Sequence, residues 1–297
     1  MTHDTLQVSD RQVADFLSKH RLPAEFRRIA EQHYLPLAKR LPPLRGGKRQ
    51  LLLGVNGAQG TGKSTLADFL RLATKSMFDW TVAVLSIDDF YLTLAERQAL
   101  AEEVHPLLRT RGVPGTHDTD MLARYLERLR RLARGERIAL PRFDKAIDDR
   151  ADESQWPVVH GPVDLVILEG WCVGTVAQSD AELRQPVNAL ERDEDPDGAW
   201  RQYVNDQLRA KYEPIFARLD ALVFIGAPNF DAILRWRLEQ EEKLAASSPS
   251  GSSGLMNIRQ VTRFIQFYER LTRANLASLP DTADFVFRLD DTHAIIS

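Results

Sequence analysis

Five short apolar runs punctuate the chain, and between them apolar positions recur every three or four residues. The runs are LLLGV (51–55), TVAVLSI (81–87), VDLVILEG (163–170), ALVFIGAP (221–228) and ADFVFRL (283–289). Each is rich in branched or aromatic side chains and bounded by polar residues, the pattern of strands buried on both faces of a parallel sheet. STLADFLRLA (64–73) and FDAILRWRLEQEEKLAA (230–246) carry helical spacing instead. Strands alternating with helices predict an α/β fold, a central parallel sheet with helices on both faces. Ahead of the first strand, VSDRQVADFLSKH offers Ser9 as a helix cap, PAEFRRIAEQHYLPLAKRL continues with helical spacing, and LPPLRGGKRQ reads as a linker. The expected division is a helical N-terminal extension with its linker over 1–50 and a core domain over 51–297. The Ser- and Gly-rich tract SSPSGSSG (247–254) separates two helical patterns and reads as a mobile surface loop.

A chain of 297 residues is long enough for a full α/β core. Its formal net charge of −3 argues against a general nucleic-acid partner, which calls for a marked excess of Lys and Arg. No apolar run approaches the roughly 20 residues that span a bilayer, and MTHDTLQVSD lacks a signal-peptide core, so a cytoplasmic protein without a membrane partner is expected. The single cysteine, Cys172, excludes an intramolecular disulfide and any cysteine-based zinc cluster. A monomer or homodimer is expected.

Chemistry enters with GVNGAQGTGKSTL (54–66). Gly57, four residues, then Gly62, Lys63 and Ser64 form the G-x-x-x-x-G-K-[ST] phosphate loop, placed between an apolar strand and a helical pattern as that motif requires. The nucleotide would lie against Gly57, Ala58, Gln59, Gly60, Thr61, Gly62, Lys63, Ser64 and Thr65, where backbone N–H groups and a helix N-terminus meet an anion. Lys63 would reach the β- and γ-phosphates of ATP, and the Ser64 hydroxyl would ligate Mg²⁺.

Acids close two other strands. In a parallel sheet the ligand crevice lies at the carboxyl ends of the strands, so Asp88 and Asp89 of LSIDDFYLT should share an edge with the phosphate loop. Adjacent side chains alternate sides; Asp88 is taken as the group that accepts a hydroxyl proton or holds Mg²⁺ through water, and Asp89 as an N-cap or structural acid beside the substrate. Glu169 in VDLVILEGWCVG stands where a Walker B acid assists the metal. The Glu-Gly-Trp sequence there, in place of the Asp-Glu of motor ATPases, favours a small-molecule kinase, with Trp171 as a pocket wall or core residue.

Helix 230–246 carries two arginines about 200° apart on a regular wheel. Arg237 falls among Ile233, Leu234, Leu238, Leu244 and Ala245, where it either meets phosphate or pairs with Glu241. Arg235 counts as a second nucleotide-side cation of the lid region 230–255, although the wheel turns it outward toward Glu239. His117 and Asp118 stand at the mouth of a helix after RTRGVPG, as pocket residues or an N-cap pair. Arg142 and Lys145 lie in LPRFDKAIDDR, as substrate cations or a solvated face.

Taken together, GAQGTGKST, SIDDFYLT, RGVPGTHD, PRFDKA, EGWCVG and WRLEQE resemble the D-glycerate 3-kinase family, within the wider P-loop kinase group of uridine kinase, pantothenate kinase and phosphoribulokinase. The resemblance runs from about Gly54 to Lys243. It implies transfer of the γ-phosphate of ATP, with Mg²⁺, to the 3-hydroxyl of D-glycerate, with Lys63 and Ser64 at nucleotide and metal, Asp88 near the acceptor hydroxyl and Arg237 in a closing lid. It also implies an acceptor pocket lined by His117, Asp118, Arg142 and Lys145, and Asp89 and Tyr91, beside Asp88 in sequence, are expected on the substrate side with them. An anionic hydroxy acid suits Arg142 or Lys145 better than an uncharged nucleoside. The alternatives are phosphorylation of another small hydroxyl compound, such as a nucleoside or pantothenate, or a P-loop ATPase switch. Neither the Asn-Lys-x-Asp motif of GTPases nor the Leu-Ser-Gly-Gly-Gln signature of transporter ATPases is present. The segment 175–208 is an insertion without an assigned role, and the stretch after Gly254 departs from the plant members of the family.

Overall fold

Each of the five apolar runs forms a strand in the computed structural model, which describes residues 8–247 and 256–296. β1 (Leu51–Gly57), β2 (Val82–Ser86), β3 (Leu165–Gly170), β4 (Ala221–Gly226) and β5 (Phe285–Arg288) make one parallel sheet in the order β2-β3-β1-β4-β5. β1 lies at its centre with every residue buried, which is why its sequence shows no polar alternation. The register brings the carboxyl ends together: Val55 and Ser86 both lie beside Glu169, and Gly57 lies beside Ile225.

The principal helices are α1 (Asp10–His20), α2 (Leu35–Arg45), α3 (Lys63–Phe78), α4 (Thr119–Arg131), α5 (Phe230–Ser247) and α6 (Ile258–Thr282). Alternate residues of the strands feed two cores. Leu51, Leu53 and Val55 pack with Phe16 of α1, Leu41 of α2, Phe69 of α3 and Ile233 of α5; Leu52, Val166 and Leu168 pack with Leu122 of α4 and Leu271 of α6. Helices therefore cover both faces, as the alternating pattern predicts.

Ser9 caps α1 in a capping box with Gln12. The expected linker at 41–50 is corrected in its first half: Leu41–Arg45 is the last part of α2, with Pro42 and Pro43 inside the helix. Proline costs the helix its N–H donors there, but fully buried Leu41, next to Leu37 and Ala38 in the core, fixes those turns. The insertion folds as three short helices, Asp180–Leu183, Ala189–Glu194 and Ala199–Gln207. Two buried ion pairs, Arg201–Asp195 at 2.9 Å and Arg270–Glu191 at 2.6 Å, fasten it, the second to α6. Two small ribbons lie between β2 and β3, one pairing Arg137–Ala139 with Val158–His160 and the other Phe143–Asp144 with Asp149–Arg150.

Candidate active site

The phosphate loop is the turn from β1 into α3. A Cβ at Gly57 would stand 2.5 Å from the Thr61 hydroxyl and 3.1 Å from the Ile225 carbonyl, so the loop can fold back only on glycine. Gly62 caps α3 with φ +88°, a left-handed conformation that glycine adopts without cost. Within the loop, the Thr61 hydroxyl and the Lys63 ammonium each donate to the Ala58 carbonyl, both at 2.9 Å. Burial pushes the Lys63 ammonium below its ordinary pKa, against the carboxylates of Glu169 and Asp88. The Ser64 hydroxyl donates to Glu169 Oε1 at 3.0 Å across the β1–β3 boundary. No group of three or more His, Cys, Asp or Glu side chains forms a ready-made metal cage among the described residues. A hydroxyl beside a carboxylate does fit Mg²⁺, a hard ion that takes one or two protein oxygens and completes its shell with water and phosphate.

Beyond β2 the chain makes a single 3₁₀ turn, Ile87–Phe90, that turns Asp88 and Asp89 apart. Asp88 accepts from Lys145 Nζ at 2.7 Å and from the Tyr91 hydroxyl at 2.9 Å. Burial by itself would raise its carboxyl, but the Lys145 ammonium and its hydrogen bond outweigh that and hold Asp88 below the usual carboxylate range. Asp89 is not an N-cap: it accepts from Arg142 Nη1 at 2.8 Å and from the Phe143 N–H at 3.2 Å, because the ribbon starting at Phe143 docks against the turn. Its alternative reading, a structural acid, is what the contacts describe. Burial raises it to about 6, with Arg142 opposing.

Phosphate loop, acidic turn and ribbon enclose a cleft of about 1030 Å³. Gln59, Lys63, Ser64, Asp88, Asp89, Tyr91, Lys145, Glu169 and Arg237 line it. Arg142 lies across Asp89 in an adjoining groove that reaches the same Ser64 and Glu169. His117 and Asp118 are not on the cleft wall. His117 is buried behind Tyr91, ring on ring at 4.5 Å, with Nδ1 2.8 Å from the Tyr212 hydroxyl, and burial lowers its pKa to about 4. Asp118 is the N-cap of α4, accepting from the Met121 N–H at 2.7 Å, with Arg150 at 3.8 Å. Trp171 combines both expected roles, lining the cleft and donating its indole N–H to the Gly112 carbonyl at 3.0 Å.

The sequence reading passed over Arg109, Thr110, Arg111 and Tyr268, which also line the cleft. The first three precede the Gly-Pro turn, and the RTR triplet was their one signal. Tyr268 comes from α6, a partner no spacing argument reaches.

On α5, Arg237 faces inward and pairs with Glu241, whereas Arg235 is half-exposed. The expected Arg235–Glu239 pair does not form: Arg235 pairs with Asp291, because the chain after β5 runs past the helix. Trp236, between them, donates to the Asp291 carbonyl at 3.1 Å and stacks on His293 at 3.9 Å. The side chains of Leu244 and Ala245, and the tract 247–254 apart from the Ser247 backbone, lie outside the described residues.

No protein-family model matches the chain. It is 36% identical over 229 residues to an uncharacterized kinase of Schizosaccharomyces pombe, mug58, covering 74% of this chain and 79% of that one. It is 34% identical over 240 residues to the chloroplastic D-glycerate 3-kinase of Arabidopsis thaliana, covering 77% of this chain and about half (48%) of the plant protein. Among solved structures, the D-glycerate 3-kinase from Cryptococcus neoformans superposes with a TM-score of 0.72 at 26% identity, covering 93% of this chain and 98% of that one.

Proposed function

The chain belongs to the D-glycerate 3-kinase family of P-loop kinases, and from that premise we propose that it transfers the γ-phosphoryl group of ATP to the 3-hydroxyl of D-glycerate. The observation that carries this reading is one cleft holding the phosphate-loop lysine, a half-buried ionised Asp88 and the Lys145 ammonium bonded to it. A hydroxyl acceptor needs such a carboxylate, and an anionic acceptor needs such cations.

In this proposal the backbone of 57–65 and the α3 N-terminus cradle the phosphates. Lys63, which already bonds an oxygen of the loop, exchanges the Ala58 carbonyl for phosphate oxygen and meets charge spreading over the moving group. Ser64 and Glu169, with Asp88 through water, would hold Mg²⁺, which when bound neutralises charge on the β- and γ-oxygens. Asp88 aims the acceptor hydroxyl and takes its proton. A carboxylate held below its usual pKa is a weak base, so it acts mainly by orientation, and the proton leaves once the bond to phosphorus is forming. Tyr91 and Lys145 fix the Asp88 carboxylate at its two oxygens. Asp89 and Arg142 anchor the ribbon that presents Lys145, and His117 backs Tyr91, so these three support the acceptor side without touching the acceptor. Asp118 supports it only through α4. Arg237 completes the cations when α5 closes, whereas Arg235 holds the C-terminal chain against α5 on the nucleotide side.

ADP release from ATP and Mg²⁺, measured with D-glycerate, pantothenate, uridine or no acceptor, tests the reading. Release that depends on D-glycerate is expected. Release stimulated by another acceptor, or equal without one, contradicts it.

A further inference from the structure

Arg97 is completely buried, an unusual place for an arginine. Its Nε donates to the Leu92 carbonyl at 3.1 Å, its Nη1 to the Arg109 carbonyl at 2.8 Å and its Nη2 to the Asp148 carbonyl at 2.7 Å. One guanidinium thus ties together the segment after Tyr91, the segment carrying Arg109–Arg111 and the ribbon carrying Lys145. Its charge is met by Asp148 Oδ1 at 3.0 Å, and the same oxygen also accepts from Arg111. Both guanidiniums stand over the Phe143 ring, at 5.9 and 5.6 Å from its centre.

Two arginines therefore share one carboxylate oxygen, and the spot is one negative charge short. Among the other cleft cations, Lys145 has Asp88 and Arg237 has Glu241, Lys63 bonds the Ala58 carbonyl of the phosphate loop, and Arg109 is exposed where Arg111 is buried in the wall. Asp148 Oδ1 is the only hydrogen-bond acceptor Arg111 meets among the described residues, and its guanidinium is three-quarters buried in the cleft wall. Its backbone is fixed as well. The Gly112 N–H donates to the Thr116 hydroxyl at 3.0 Å, and the Gly112 carbonyl accepts from Trp171.

Along the wall, the Asp88 carboxylate accepts from the Tyr91 hydroxyl, Tyr268 lines the same cleft, and the Tyr268 hydroxyl abuts Gly112 so closely that a Cβ there would stand 2.4 Å from it. Arg111 and Asp88 thus line one cleft, where a hydroxy acid presents a hydroxyl to one and a carboxylate to the other.

We propose that Arg111 binds the carboxylate of the acceptor, and that Asp148, backed by buried Arg97, holds the Arg111 fork in aim. The proposal rests on the glycerate reading above and specifies the residue that selects an acid over a neutral hydroxyl compound. Steady-state kinetics of wild type, Arg111→Met and Arg111→Lys on D-glycerate and on its uncharged amide, D-glyceramide, test it, with thermal melting to establish that each variant is folded. Loss of a charge-assisted pair in a cleft should raise the KM for D-glycerate roughly 10- to 100-fold in Arg111→Met, leave the KM for ATP nearly unchanged and shrink the preference for acid over amide by a similar factor. Arg111→Lys, which keeps the charge and loses the fork, should fall between. A folded Arg111→Met that keeps the wild-type KM for D-glycerate, or loses acid and amide equally, overturns the proposal alone. A wild type inert toward D-glycerate overturns the substrate reading and this proposal with it.

Discussion

Asp88 keeps its charge inside the protein because Lys145 stands 2.7 Å from one oxygen and the Tyr91 hydroxyl 2.9 Å from the other. Asp88→Asn retains size and one acceptor oxygen but removes the charge, and should lower kcat about 100-fold or more with little change in the KM for ATP. Asp89→Asn loosens the Arg142 anchor and should act more mildly; the reverse order in steady-state rates would overturn the assignment. Lys63→Ala should cost about 3 kcal/mol of transition-state stabilisation, roughly 100-fold in kcat, as measured on a folded variant. His117 supplies a test by stability. Its folded pKa of about 4 lies below the ordinary 6.5, so between those values the unfolded chain binds the extra proton. Stability from this group is therefore full above pH 6.5 and lost as pH falls toward 4, by up to about 3 kcal/mol. Asp89, raised to about 6, works in the opposite direction, gaining stability as pH falls from 6 toward 3.8. Denaturation midpoints of wild type and His117→Gln from pH 7 to 4 should accordingly diverge, the wild type losing more; parallel curves would contradict the burial argument. Part of this was legible in the sequence, since the phosphate loop, Asp88 and Glu169 announce themselves by type and position, whereas Lys145 read equally as a solvated face until the fold set it against Asp88. Arg111 and Tyr268 were not, because their roles depend on Asp148 and Gly112 being brought to them by folding.

At the scale of the element, α5 carries Arg237, an inward cation of the expected lid. Glu241, the partner of Arg237, also accepts from the Met256 N–H at 3.1 Å, so a single carboxylate joins α5 to the start of α6. Arg237 Nη1 is buried without an acceptor among the described residues, and under the proposed closure of α5 it is a donor for phosphate. Arg237→Ala should lower kcat by at least tenfold, in line with loss of one charge-assisted hydrogen bond. Arg235→Ala removes only a half-exposed pair worth a few tenths of a kcal/mol and should leave turnover nearly intact. Hydrogen exchange over 230–247 should slow when a non-hydrolysable ATP analogue and D-glycerate bind together. Unchanged exchange, or two equally active arginine variants, would make Arg237 a structural partner of Glu241 only. The helical wheel found the inward arginine because the angle is local information. It missed the partner of Arg235 because Asp291 lies beyond α6 and β5.

At the scale of the molecule, the sheet order sets everything at one edge. β1 and β3 are neighbours, so the phosphate loop and Glu169 meet; β2 borders β3, so Asp88 joins them. Strand identity and the parallel α/β class followed from the apolar runs, but the strand order did not, since a buried strand looks alike at the centre and one place out. In the proposed reading the acceptor side is built by the segments between β2 and β3 together with Tyr268 of α6, which would separate nucleotide chemistry from acceptor choice. The most direct test is therefore the product itself. Incubation of the protein with ATP, Mg²⁺ and D-glycerate, followed by ³¹P NMR, should show stoichiometric conversion to 3-phosphoglycerate and ADP. A 2-phosphate product, free inorganic phosphate in its place, or no dependence on D-glycerate would contradict the account.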